Sequence, residues 1–186
     1  MVSLTSLWLP ILVSAIAVFV ASSILHLVLP FHRNDFKPIP REDEVLEALR
    51  RFNIPPGDYL APRPASAADM RSPAFVEKAK KGPVVMMTIS PGGSISIGTN
   101  LGMWFVYLLV VGALTADLTG DALAPGAGVE DVCMFAGTIA FMGYSLALLQ
   151  NSIWSRRNWW TTCKSLIDGL IYATITGQTF GWMWPK

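Results

Sequence analysis

The sequence predicts an all-α membrane protein with four transmembrane helices and one long cytoplasmic segment. Hydrophobic residues make up 52% of the 186 positions and charged residues only 15%, against about 25% charged in ordinary soluble domains. The apolar residues are gathered into four blocks, each near the roughly 20 helical residues that cross a bilayer core. Because the backbone must satisfy its own hydrogen bonds in lipid, these blocks are predicted to be helices.

The four predicted spans are residues 4–29, 101–118, 132–150 and 163–184, and residues 30–100 form the long segment. The first block is longer than the core of a cleavable signal peptide, about 7–15 residues. We therefore expect it to remain in the protein as the first span.

The distribution of basic residues predicts the orientation. Residues 30–100 hold ten of the fourteen Lys and Arg, and Arg33, Lys37 and Arg41 directly follow the first span. The second connection has no basic residue and four acidic ones: Asp117, Asp121, Glu130 and Asp131. Since Lys and Arg near membrane ends favour the cytoplasmic side, both termini are predicted outside.

Two short amphipathic helices are predicted within the long segment. The first begins with acids at Glu42–Glu44 and ends with Arg50 and Arg51, which suits the helix dipole. The second has Ser72 as its N-cap and stops at Gly82. Residues 55–68, rich in Pro and Ala, are predicted to be an extended linker.

A small β-hairpin is predicted from residues 84–89 and 94–97, with Ser90–Gly93 as the turn. An isolated two-stranded hairpin is only marginally stable in water. We therefore expect it to lie against the membrane, a helix or a partner.

Small residues recur every fourth position along the fourth span, and the third span offers a complementary small face. Such faces let membrane helices approach closely. They predict packing within the chain, and docking onto another subunit or a second copy stays an alternative. The predicted packing residues are Gly169, Ala173, Gly177 and Gly181, with Gly137 and Gly143 opposite.

The candidate polar site consists of His26, His32, Asp35 and Asp168. Asp168 lies inside the fourth span, where an ionisable side chain is a functional candidate, and Lys164 one turn earlier is the expected ion-pair partner.

The two histidines flank the cytoplasmic end of the first span. A spacing of six places them on different faces of a continuous helix, so a shared metal would require the helix to end near Pro30. We expect interfacial hydrogen bonding or lipid contact here, with no metal and no cofactor.

Several other chemistries lack their sequence motifs. The chain has no phosphate-binding loop, no nucleophile elbow and no His-Glu-x-x-His. Its net charge of +1 gives no field for nucleic acid. Cys133 and Cys163 lack a metal-site spacing and are expected to pack as small residues.

The run from His26 to Lys37, continuing through Pro40 to Glu44, resembles the corresponding junction in a family of uncharacterised bacterial four-span integral membrane proteins. The resemblance implies a bacterial inner membrane. It implies no activity and no site.

Three functions follow as hypotheses. The small-residue faces and apolar span centres favour a non-enzymatic scaffold or accessory subunit of a larger membrane complex, with lipids and other subunits or itself as partners. A small oligomeric transporter or channel is the first alternative. The second is an interfacial enzyme that uses the four polar residues on a lipid or quinone.

Overall fold

The structure, a computed structural model, describes residues 1–93 and 96–186. The chain divides into a helical unit, Met1–Phe36 with Ser96–Lys186, and a small unit, Lys37–Ile95. In chain order the elements are α1 (Trp8–Ser23), α2 (Glu42–Phe52), β1 (Gly57–Ala61), α3 (Pro73–Lys81), β2 (Val85–Ile89), α4 (Ile97–Ala122), α5 (Val129–Tyr144), α6 (Leu149–Ser155) and α7 (Trp159–Trp182).

Three helical stretches in the described residues are long and apolar enough to cross a membrane: Leu4–Val28, Ile97–Ala122 and Val129–Ser155. The second extends beyond both ends of the predicted span 101–118. The third breaks at Ser145 and resumes through a 3-10 turn into α6. Helix α7, with 24 residues, is long enough, but Lys164, Asp168, Gln178 and five threonines lower its hydropathy below that of the other three.

The four long helices of the helical unit share their apolar cores. One buried cluster is built from all of them: Ala15, Val18, Leu108, Val111, Ala140, Tyr144, Tyr172 and Ala173. A second cluster adds residues near both chain ends: Val2, Leu7, Ala116, Val132, Ala136, Phe180 and Trp184. Thus α7 belongs to the same core as the three apolar spans.

The N-terminal end of the chain contacts the last turns of α4, and the C-terminal end contacts the connection between α4 and α5. The Val2 N–H donates to the Gly120 carbonyl over 2.7 Å, and the Gly126 N–H donates to the Pro185 carbonyl over 2.8 Å. The Trp184 indole donates to the Ala124 carbonyl. The two ends therefore lie at one end of the helical unit, and the C-terminal end of α1 lies at the other.

The small residues of α7 pack against α5 of the same chain. A Cβ on Gly177 would lie 2.6 Å from the Cys133 carbonyl and 3.1 Å from the Gly137 Cα, and one on Gly181 would collide with the Cys133 sulfur. Ala173 is buried on the same face. At Gly177 the two backbones are so close that only glycine fits without a shift.

Two other predicted packing residues have different neighbours. A Cβ on Gly169 would collide with the Ser145 hydroxyl, just where α5 ends. A Cβ on Gly143 would lie 3.2 Å from a Val111 methyl of α4. The prediction that Gly143 belongs to the face toward the fourth span is thus wrong, because this position is turned toward α4.

In the small unit, both amphipathic helices form near the predicted positions. Ser72 caps α3, its hydroxyl accepting from the Phe75 N–H over 3.1 Å, and Pro73 takes the first helical position. In α2, the acids of the first turn and Arg50 and Arg51 of the last complement the helix dipole.

The predicted hairpin has a different partner strand. Strand β2 pairs antiparallel with β1, with Gly57 opposite Ile89 and Ala61 opposite Val85, so residues 55–68 are not simply a linker. Ser94 and Ile95 lie outside the described residues, whereas Ser96 caps α4 instead of joining a strand. The cross-strand bond from the Thr88 hydroxyl to Asp58, 2.6 Å, helps to select the distant partner.

No residue between 37 and 93 is buried. Apolar side chains in this range are exposed, including Leu46 at 39%, Phe52 at 74% and Met70 at 56%. The small unit therefore has secondary structure without an apolar core of its own.

Candidate functional site

The candidate site begins where the chain reverses after α1. A π-helical turn, Ile24–Val28, carries His26, and Leu29 is extended with φ −82° and ψ 141°. A 3-10 turn, Pro30–His32, then carries His32. The reversal stacks the two imidazole rings, with centroids 4.2 Å apart and planes at 3°. The helix thus ends near Pro30, as a shared site would require.

Asp168 reaches the two histidines from α7. Its Oδ2 lies 3.0 Å from His32 Nε2 and 4.0 Å from His26 Nε2. One ligand atom from each of the three residues lies within 4.8 Å of the others. Asp168 is 4% exposed, whereas the His26 side chain is 49% exposed, so access to this polar cluster is through His26.

Asp35 holds His32 in place and is itself held by Lys164. The Asp35 carboxylate lies 2.7 Å from His32 Nδ1 and accepts from Lys164 Nζ over 2.7 Å. Lys164 also donates to the Phe31 carbonyl over 2.6 Å. The prediction that Lys164 pairs with Asp168 is therefore wrong. Residues 31–35 lie over the first turns of α7 and take Lys164 as their partner.

These contacts determine the charge of Asp35. Burial raises the pKa of its carboxyl, but the hydrogen bonds from Lys164 and His32 outweigh burial and hold the pKa below the ordinary 3.8. Asp35 is therefore an ionised group that can only accept hydrogen bonds.

The hydrogen bonds also assign the imidazole tautomers. His26 Nδ1 lies 3.0 Å from the Ser22 carbonyl, and His32 Nδ1 faces the ionised Asp35. Because both neighbours accept only, both Nδ1 atoms carry the proton. In the neutral rings both Nε2 atoms then present lone pairs toward Asp168, so His26, His32 and Asp168 form the set that can hold a metal or share a proton.

An open cleft of about 410 Å³ adjoins the cluster. It is lined by His26, Leu27, Val28, Leu29, Pro30, His32 and Arg33. Leu27 and Val28 are 80% and 73% exposed, so an apolar surface borders the polar one. The arrangement allows a polar headgroup to reach His26 while an apolar chain stays against α1.

An aromatic cluster packs near the site: Trp104, Tyr107, Tyr144 and Tyr172. The rings of Trp104 and Tyr172 lie 6.1 Å apart, and those of Tyr144 and Tyr172 5.7 Å. Trp104 also donates to the Ser22 hydroxyl over 3.0 Å. These contacts hold the end of α1 against α4 and α7.

The structure brings together all four candidate polar residues. Sequence reasoning assigned Lys164 the wrong partner and missed Ser22, the carbonyl of Phe31 and Trp104. Pro30 was the sequence signal from which these contacts could have been predicted, because the chain reverses there and residues 31–35 return toward the helical unit. The predicted packing residues Gly177 and Gly181 lie away from the site, and Gly169 adjoins Asp168.

No protein-family model, curated protein or solved structure matches this chain. The resemblance of residues 26–44 to bacterial four-span proteins therefore stays a prediction.

Proposed function

We propose that this chain is a four-span membrane protein of the bacterial inner membrane, with both chain ends outside, that performs acid–base chemistry on an amphiphilic substrate at the inner interface. The observation that carries the proposal is the convergence of His26, His32 and Asp168 beside an open cleft. Asp35 and Lys164 support His32 from behind.

The environment of α7 supports its role as a fourth span despite its polar residues. Lys164 and Asp168 are buried and paired inside the helical unit. The hydroxyls of Thr174, Thr176 and Thr179 each donate to the carbonyl four residues earlier. Its exposed surface includes Ile167 at 45% and Leu170 at 56%, which suits lipid. Four crossings also agree with both chain ends lying at one end of the unit.

The substrate class follows from the position of the cleft. His26 is the accessible group, and Leu27 and Val28 offer apolar surface beside it. A lipid or a quinone combines a polar head with an apolar chain. A positioned imidazole acting as general acid or base contributes about 10²- to 10⁴-fold to a rate.

The test compares membranes from host cells that lack the gene and are complemented with defined variants. Wild type and Glu77→Gln, an exposed change in the small unit, should restore the lipid and quinone profile. His32→Ala, at equal abundance, should leave one species accumulated as in the deletion. Full restoration by His32→Ala would overturn the proposal.

An accessory role is the second candidate, because residues 37–93 have no buried core and expose apolar side chains. Such a surface suits a partner subunit. Purification in mild detergent with mass measurement tests it: the expected result is a stoichiometric partner that is lost when residues 38–92 are replaced by a Gly/Ser linker. A bare particle of this chain would contradict it. The small-residue faces do not support this role, because those of α5 and α7 pack against each other within the chain.

A further inference from the structure

When both imidazoles are neutral, the polar cluster brings three acceptor atoms face to face. Both Nδ1 protons are committed to Ser22 and Asp35, which leaves Nε2 of His26 and of His32 as lone pairs. The third acceptor is the Asp168 carboxylate, 3.0 Å from one and 4.0 Å from the other. Three acceptors in contact repel one another unless a proton or a metal cation lies among them.

We propose that His26, His32 and Asp168 bind a divalent first-row transition metal, with zinc as the reference ion. The inference rests on the proposed function and changes one part of it: with both Nε2 atoms bound to the ion, the ion and not an imidazole would supply the acid–base chemistry of this site. Two imidazoles and one carboxylate are a ligand set that zinc and iron(II) take in sites that keep open positions. The open side here is the cleft beside His26.

The distances suit such an ion after a small movement. Metal–ligand bonds of about 2.0–2.1 Å place tetrahedral ligand atoms about 3.3 Å apart, and the three atoms here lie within 4.8 Å of one another. Stacked parallel rings direct their lone pairs side by side, so one ring must tilt for both to meet an ion. The half-exposed His26 can tilt, whereas His32 is fixed by Asp35.

The surrounding contacts resemble those that support bound metals. Metal-binding histidines usually donate the second ring N–H to a carboxylate or a backbone carbonyl, which fixes the tautomer. His32 does so to Asp35 and His26 to the Ser22 carbonyl. Lys164 in turn donates a hydrogen bond to Asp35, so the residue that orients His32 is itself held in place.

The local charge also favours a cation. With neutral histidines, two carboxylates and one ammonium leave the cluster with a net charge of −1. Arg33, on the cleft wall, is the nearby opposing charge. A proton shared between His32 and Asp168 is the competing occupant, and the test must distinguish the two.

The test is equilibrium dialysis of the full chain in detergent against buffered Zn²⁺, with metal content measured per protein. Cys163→Ser serves as the background because Cys163 is an exposed thiol. One equivalent should bind. His26→Ala, which alters a half-exposed side chain, should weaken binding at least tenfold. Asp35→Asn, which removes the carboxylate that supports His32 and also destabilises the protein, should weaken binding to the folded fraction about 10- to 100-fold. Asp131→Asn, an acid at the opposite end, should bind as the background does.

Co²⁺ provides a second readout. The visible absorption spectrum of Co²⁺ bound to His32→Ala should differ from that of Co²⁺ bound to the background protein. Absence of saturable binding in the background protein would overturn the inference and leave the shared proton as the occupant. Undiminished binding in folded His26→Ala and His32→Ala would overturn it as well. If the background protein binds metal but His32→Ala restores the lipid profile, only the proposed function fails. If the background protein binds no metal but His32→Ala leaves the lipid profile altered, only this inference fails.

Discussion

Lys164 Nζ lies 2.7 Å from Asp35 Oδ1, although 129 positions separate the two residues in the sequence. Their side chains are 8% and 9% exposed. The contact ties the reversal after α1 to the first turns of α7. Because His32 Nδ1 is hydrogen-bonded to the same carboxylate, this ion pair positions the polar cluster.

Removing both partners of this ion pair should destabilise the protein less than the sum of the two single removals. Asp35→Asn leaves the Lys164 ammonium buried without its counter-ion, which typically costs about 3–5 kcal/mol. Lys164→Gln should have a similar cost. The double variant should be more stable than the sum predicts by about 1–3 kcal/mol. Thermal unfolding in detergent measures all three, and strict additivity would show that the two residues do not interact.

The contact between Gly177 and α5 predicts a sharp dependence on side-chain size. In Gly177→Ala the added methyl meets the Cys133 carbonyl and the Gly137 backbone, and overpacking of this kind costs about 1–3 kcal/mol. Gly102→Ala is the matched control, since a Cβ there meets nothing within 4 Å. Its unfolding temperature should be unchanged or higher, because alanine favours the helix by about 1 kcal/mol. Equal effects of the two changes would contradict the packing argument.

Cysteine labelling distinguishes four crossings from three. In a background with Cys133 and Cys163 replaced by serine, Ser3→Cys and Lys186→Cys should both react with an impermeant maleimide in intact cells. Ser90→Cys should react only after lysis. Labelling of Ser3→Cys but not Lys186→Cys in intact cells would place α7 on one side of the membrane and leave three spans.

The small unit should be the first part of the protein to be cleaved by trypsin. Residues 37–93 have no buried side chain, and backbone without a core opens easily to proteases. Early cuts after Arg51 or Arg71 should leave two fragments that stay together through α1, α4 and α7. Arg156 and Arg157, between α6 and α7, serve as the internal comparison. Earlier cleavage there would contradict the expectation.

The sequence predicted local features of the fold well and long-range pairing poorly. The cap at Ser72 and the acids of α2 are local signals, and both helices form. Strand β2 instead pairs with β1, which precedes α3 in the sequence. A pairing between such distant segments has no local turn signal from which it could be predicted. Likewise, the polar residues of α7 can be read from the sequence, but whether Lys164 and Asp168 face lipid or neighbouring helices depends on how the other helices pack.

The candidate site shows the same division. His26, His32, Asp35 and Asp168 stand out because each is polar at the edge of an apolar block. Their convergence depends on one extended residue, Leu29, and on the turn that begins at Pro30. A spacing of six on a straight helix would have kept the histidines apart, so only the reversal reveals that they meet.

The attachment of the two chain ends to the last turns of α4 and to the connection after it has a consequence for protein engineering. The Val2 N–H donates to the Gly120 carbonyl, and the Gly126 N–H donates to the Pro185 carbonyl, so a short peptide should be able to join Met1 and Lys186. A circularly permuted chain opened among residues 37–93 would begin with α4 and finish with α1. The helices would then be synthesised in a new order, while each could keep its neighbours and its direction across the bilayer.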